Sequence, residues 1–182
     1  MNISALSHRT LRGAALVAVA VVTASAFGAG VASAAGPHGA TAAKTPTCTA
    51  ANTKVTVEKL QRPINHLLIT AKNTSKKSCN AYNYVFLQYG EAQSPAQVWG
   101  EKPQSVVTLK PGQSAYASTQ PSSPADDGTD GYYTSKLGVY FNSANDQGSE
   151  GPGVTLNLPG GKTYVNDPHV TYWHDNVADA IY

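Results

Sequence analysis

The sequence predicts an all-β fold, an antiparallel β-sandwich, and three observations carry that prediction. Short runs alternate apolar and polar side chains, as a strand with one buried face does. Proline, glycine, asparagine and aspartate punctuate the runs at hairpin spacing. No stretch sustains the period of a long helix, and no internal repeat or coiled coil is present.

Residues 1–34 read as a secretory signal peptide. Residues 1–13 carry Arg9 and Arg12 and no acid, residues 14–27 are an alanine- and valine-rich apolar run, and Ala32, Ser33 and Ala34 give a small-x-small cleavage pattern. Alanine and glycine make a poor membrane span, so cleavage before Ala35 is expected instead of anchoring. No cysteine follows for lipid attachment and no apolar tail closes the chain. The expectation is a secreted, extracellular protein with no membrane contact after signal cleavage. Residues 35–47, rich in Ala, Gly, Thr and Pro, read as a flexible leader. Residues 48–174 suit one sandwich domain, and residues 175–182 a C-terminal turn or tail.

The formal charge of +2 belongs to the signal peptide. Without Arg9 and Arg12, eleven basic residues face eleven acidic ones, which argues against nucleic acid or an anionic membrane as partner. The distribution is uneven: residues 35–120 carry nine Lys and Arg against three acids, and residues 121–182 two against eight. The plain expectation is that the halves interleave in one sandwich and neutralise each other. The sharper one is a dipolar surface for self-association or for steering a partner.

The first two strands are expected over residues 54–60 and 66–72. Val55 and Val57 alternate with Lys54, Thr56 and Glu58, and Leu67, Ile69 and Ala71 share a face. Pro63 stops the pairing between them. Antiparallel pairing brings Cys48 and Cys79, the only cysteines, to the same end. A bridge between them should stabilise by about 3 to 4 kcal/mol in the chain-entropy account, and it requires an oxidising compartment. Asn73, Thr74 and Ser75 spell a glycosylation sequon but read as turn chemistry.

Residues 82–89 form the most aromatic run, with Tyr82, Tyr84 and Phe86 on one side and Val85, Leu87 and Tyr89 on the other, which suits a central strand. Val98 and Trp99 make a short strand with Trp99 as a core or edge plug. Residues 105–109 and 113–118 flank the Pro111-Gly112 turn. Further strands are expected over 136–141, 154–158, 163–165 and 170–173. Asp175 can cap a terminal helical turn that sets Trp173, Val177 and Ile181 on one side.

In this order and spacing the chain resembles a family of secreted and lipoprotein domains from actinobacteria, domain of unknown function 4232. The resemblance runs from Cys48 to about Trp173. It is carried by Thr47-Cys48, by Arg62, Pro63, Asn65 and His66 in the hairpin, and by Cys79 before an aromatic strand. Leu109, Pro111, Gly112, Ser114, Ala115, Tyr116 and Ala117 around the turn, and Val170, Tyr172 and Trp173 near the end, complete it. It implies an immunoglobulin-like sandwich and export, and it carries over no catalytic residue. The cysteines bracket one hairpin instead of joining facing sheets as in antibody domains, so antibody-like function is not implied.

The sequence offers little chemistry. His169 and His174 with Asp167 and Asp175 fall on opposite faces of a strand, which disfavours a metal site, and His66 reads as a hydrogen-bonded structural residue. Asp126, Asp127 and Asp130 fit no calcium-loop spacing and read as a solvated acidic loop. No nucleophile elbow and no phosphate loop is present, so neither catalysis nor a cofactor is expected. Tyrosine is the remaining signal, ten in number and all downstream of the signal peptide. Tyr132, Tyr133, Tyr164, Tyr172 and Trp173 are the candidate binding face, for an extracellular protein or, alternatively, a cell-wall glycan.

Overall fold

A computed structural model describes residues 44–123 and 130–181. The expected signal peptide, most of the expected leader, and Asp126 and Asp127 lie outside the described residues.

The strands are β1 (Thr53–Lys59), β2 (Leu67–Asn73), β3 (Cys79–Tyr89), β4 (Gln97–Val98), β5 (Val107–Leu109), β6 (Ser114–Gln120), β7 (Tyr132–Thr134), β8 (Lys136–Asn142), β9 (Val154–Asn157), β10 (Thr163–Val165) and β11 (His169–Val170), followed by one helical turn, α1 (Val177–Ala180). They form two main sheets, ordered β1-β2-β6-β11-β4 and β5-β3-β8-β9, and a ribbon of β10 with β7. Among the long strands, β1, β2 and β6 share one sheet and β3, β8 and β9 the other, the immunoglobulin-like partition, with β5 added beside β3. All main-sheet pairings are antiparallel except β11 with β4.

Alternation puts the core between the sheets. Val55 of β1, Ile69 and Ala71 of β2, and Ala115 and Ala117 of β6 pack in one cluster with Val85 and Leu87 of β3 and Leu137, Val139 and Phe141 of β8. The short alanines of β6 leave room for the larger side chains of the opposite sheet. As expected, β3 is interior to its sheet, and Tyr82, Tyr84 and Phe86 turn outward, half-buried.

The expected antiparallel hairpin forms, with Lys54 opposite Lys72 and Val57 opposite Ile69. Cys48 and Cys79 are bonded, Cα to Cα 4.9 Å, and both are buried. The bridge does more than close the hairpin. Cys79 belongs to β3 of the other sheet, and residues 46–48 pair with β3 through Cys48 N–H to the Asn80 carbonyl (2.8 Å) and Asn80 N–H to the Pro46 carbonyl (2.8 Å). It therefore joins the two places where the chain crosses between sheets, which corrects the expectation that the cysteines serve one hairpin alone. Thr47, assigned to the leader, is likewise buried and bridged to Asn80, so ordered structure starts before Cys48.

Asn73 organises that pole. Its Nδ2 donates to the carbonyls of Lys77 (2.8 Å) and Leu109 (2.8 Å), and its Oδ1 accepts from Ser75 N–H (2.9 Å) and Ser75 hydroxyl (2.8 Å). Its backbone N–H and carbonyl meet Gln113 and Gly112. One buried side chain thus fastens the 73–78 turn to the Pro111-Gly112 turn, and the sequon is turn chemistry.

The C-terminal turn docks on β6 with Ala180 buried. Its cap is Asn176, accepting from Asp179 N–H at 2.9 Å, not Asp175. Val177 and Ile181 stay half-exposed, and Trp173 lies in the core instead of with them.

Candidate functional site

Of the five residues expected to form one binding face, the structure brings three onto one ribbon, Tyr133 and Tyr164 on one side of it and Tyr132 on the other. Tyr132 and Tyr133 lie on β7, a strand the sequence reading did not foresee, which pairs with β10 so that Tyr133 stands opposite Tyr164 and Tyr132 opposite Val165. Directly opposed residues share a face. The rings of Tyr133 and Tyr164 accordingly lie 5.4 Å apart, inclined at 59°. Tyr133 is 68% exposed, the most exposed tyrosine of the described chain, and Tyr132 is 40% exposed.

Local chemistry holds these rings in place. Gly131 N–H donates to the Tyr164 hydroxyl at 3.1 Å, and the ring lies so close over Gly131 that a Cβ there would fall 2.1 Å from its Cζ. Tyr132 donates its hydroxyl to the Tyr89 carbonyl at 2.9 Å, and partial burial raises its pKa. The ribbon is tied to the rest of the fold through a bridge between Ser122 and Asn166, and Asn65 Nδ2 donates to the Ser122 carbonyl at 2.9 Å. Ile64, 82% exposed, projects from the β1–β2 loop next to that contact. A groove of about 330 Å³ opens beside Tyr164, lined also by Lys59, Asn65, Pro121, Pro159 and Lys162.

The other two candidates lie elsewhere. Tyr172 bridges to Tyr84 on β3, ring to ring at 5.9 Å and near perpendicular. Trp173 is 1% exposed and stacks on Phe141 at 5.5 Å. It cannot belong to an exposed face, because the step from residue 172 to 173 turns the side chain into the core. Trp99, expected as a plug, is instead 44% exposed, its ring 5.6 Å from that of His169. The two tryptophans exchange the places expected of them.

A second aromatic surface covers the outside of the β5-β3-β8-β9 sheet. Phe86 and Tyr140 are direct cross-strand partners on β3 and β8, and they floor a groove of about 330 Å³ with Gln88, Gln93, Ser94 and Ser149. Tyr140 lies across two glycines: a Cβ on Gly153 would come 2.2 Å from its Cδ1, and one on Gly138 3.1 Å from its Cε2. The sequence gives Tyr140 no distinction, but the glycine two residues before it was readable as room for a ring to lie along the strand.

The histidines and acids do not converge. Among the described residues no three His, Cys, Asp or Glu side chains cluster as metal ligands. His169 Nε2 lies 4.0 Å from Asp167, while His174 pairs through its backbone with Tyr116. His66 is buried with Nδ1 2.9 Å from the Ile64 carbonyl, the structural role expected of it. No helix among the described residues is long and apolar enough to cross a membrane.

Residues 48–174 match the family model described as domain of unknown function (DUF4232), and the chain belongs to that family. No curated protein and no solved structure matches it.

Proposed function

We propose that this member of the DUF4232 family is a secreted, noncatalytic binding domain, and that its tyrosine ribbon takes an extracellular protein. The supporting observation is the exposed Tyr133 ring held against Tyr164 on a tethered two-stranded ribbon. Such a ring offers flat amphipathic area with little side-chain freedom left to lose on binding. Ile64 adds an apolar anchor and the groove beside Tyr164 a cleft for a partner side chain. The buried disulfide fits an oxidising, extracellular setting, and neither cofactor nor catalytic group is part of the reading.

The test is capture from culture fluid by the oxidised protein, comparing the parent with Tyr133→Ala. The parent should retain a partner that the variant loses at least tenfold, with the two melting within about 2 °C of each other, as expected of an exposed side chain. Equal capture by both removes the ribbon from the reading.

A cell-wall glycan is the second reading, favoured by the Phe86 and Tyr140 floor with its uncharged amide and hydroxyl rim, the complement of a sugar's CH face and hydroxyl edge. Sedimentation with purified wall material that survives Tyr133→Ala and fails in Tyr140→Ala would select it.

A further inference from the structure

Five lysines converge at the disulfide pole. Lys54 and Lys72 are direct cross-strand partners on the outer face of β1 and β2, and both are exposed. Like charges in that position repel. Immediately beyond β2, the turn that Asn73 closes on the Lys77 carbonyl carries Lys76 and Lys77, both exposed. Lys110 stands in the adjoining turn, which Asn73 holds through its carbonyl to Gly112 N–H at 2.9 Å. One hydrogen-bond centre therefore gathers the β1–β2 pair and two lysine-bearing turns. Among the described residues none of these five ammonium groups forms an ion pair with a carboxylate. The acid on the same face of β1, Glu58, stands opposite Leu68 and not opposite a lysine. From the second half of the chain Glu150 reaches this pole, where its carboxylate accepts from the Thr47 hydroxyl at 2.7 Å, and it forms no ion pair with any of the five lysines.

We propose that this corner is a docking surface for a linear polyanion carrying phosphate groups along its length. The lysines spread over a sheet face and two turns instead of focusing on one point, which fits a series of charges better than a single small anion. None of the exposed large apolar side chains, Ile64, Val98, Trp99, Val106, Tyr132 and Tyr133, belongs to β1, β2 or these two turns, so the corner has nothing to insert into a lipid layer. Ammonium groups on flexible stems meet phosphates as point charges, and each contact releases counterions, so binding must weaken steeply with salt. This surface is separate from the tyrosine ribbon and does not depend on it.

The probe is long-chain inorganic polyphosphate, titrated into the oxidised protein between 50 and 200 mM salt. The variant K54Q/K72Q/K76Q/K77Q/K110Q should bind at least tenfold more weakly at low salt, and the slope of log affinity against log salt should flatten by about 1 per lysine removed. K136Q, which removes the β8 lysine that donates to Asn157 of β9, should bind like the parent. K54Q/K72Q should melt no lower than the parent, since it relieves a like-charge pair, and this separates lost docking from lost folding. Unchanged affinity in the five-lysine variant, a flat salt dependence, or an equal loss in K136Q overturns the proposal. So does binding to vesicles of phosphatidylglycerol and phosphatidylcholine with none to polyphosphate, which would make the surface a membrane contact.

Discussion

The two ends of the sandwich are built differently. At the disulfide pole Cys48, Cys79 and Asn73 are buried, both inter-sheet crossings are fastened, and the exposed groups are polar, five lysines among them. At the opposite pole the chain extends a ribbon of three-residue strands and a hairpin loop, and it leaves Ile64, Tyr132 and Tyr133 in solvent. The difference teaches a division of labour: one end fixes the geometry of both sheets, and the other can expose apolar area because it is not required to hold the sheets together.

The largest effect expected of this division is from the bridge. Replacing both cysteines, Cys48→Ala with Cys79→Ala, should lower unfolding stability by about 4 kcal/mol, the range for a loop of this size with buried sulfurs removed. Urea unfolding would measure it, and hydrogen exchange would locate it. Protection should fall first at residues 46–48 and 73–80. Loss that begins at the β7–β10 ribbon would reverse the roles assigned to the poles.

Asn73→Ala comes next, at about 2 to 3 kcal/mol. The change removes four side-chain hydrogen bonds and leaves the buried Leu109 carbonyl without its donor. Asn73→Asp is a sharper probe: it keeps the acceptor for Ser75 but cannot donate to Lys77 and Leu109. If it destabilises as much as alanine, the donor half of the amide holds the pole. If it behaves like the parent, the turn alone suffices.

The poles also differed in how legible they were. The disulfide pole follows from local rules: alternation through Lys54 to Lys59 gave the strand, Pro63 gave its end, and antiparallel pairing then put Cys48 beside Cys79. Even there, Asn73 read as a turn residue only, because its contact with Leu109 spans 36 residues and no local pattern encodes it. The other pole depends on distant pairing almost throughout. Tyr132–Thr134 is too short to show a period, and its partner Thr163–Val165 comes after two further strands. Trp99 and Trp173 are the same residue type in similar surroundings, and only the packing of Phe141 decides that the second one is interior. The expected face grouped five residues: pairing brings Tyr133 and Tyr164 together on one side of the ribbon with Tyr132 on the other, and burial takes Trp173 out of any exposed face.

The smallest expected effect tests what anchors the exposed pole from within. Tyr89 is 1% exposed, and its hydroxyl lies 2.9 Å from Thr119 Oγ1, which itself donates to the His169 carbonyl at 2.6 Å. The single proton of the threonine hydroxyl is thereby committed, so Tyr89 must be the donor to it. Burial holds the Tyr89 pKa far above its ordinary value of 10.0, and burial raises those of Tyr84 and Tyr132 as well. A folded pKa above the unfolded one means that the folded state keeps its proton longer. The associated stability is complete below pH 10 and is lost as pH rises from 10 toward the folded value, by up to about 1.4 kcal/mol per pH unit for one such group. Tyr89→Phe should therefore cost only about 1 kcal/mol at pH 7, for the lost hydrogen bond. Between pH 10 and 12 its stability should decline less steeply than the parent's, the two curves meeting by about pH 11 and crossing beyond it. Parallel curves in urea unfolding across that range would show that the Tyr89 phenol is not held protonated by the fold, and would remove the buried chain from Tyr89 through Thr119 to His169 as a pH-sensitive tie.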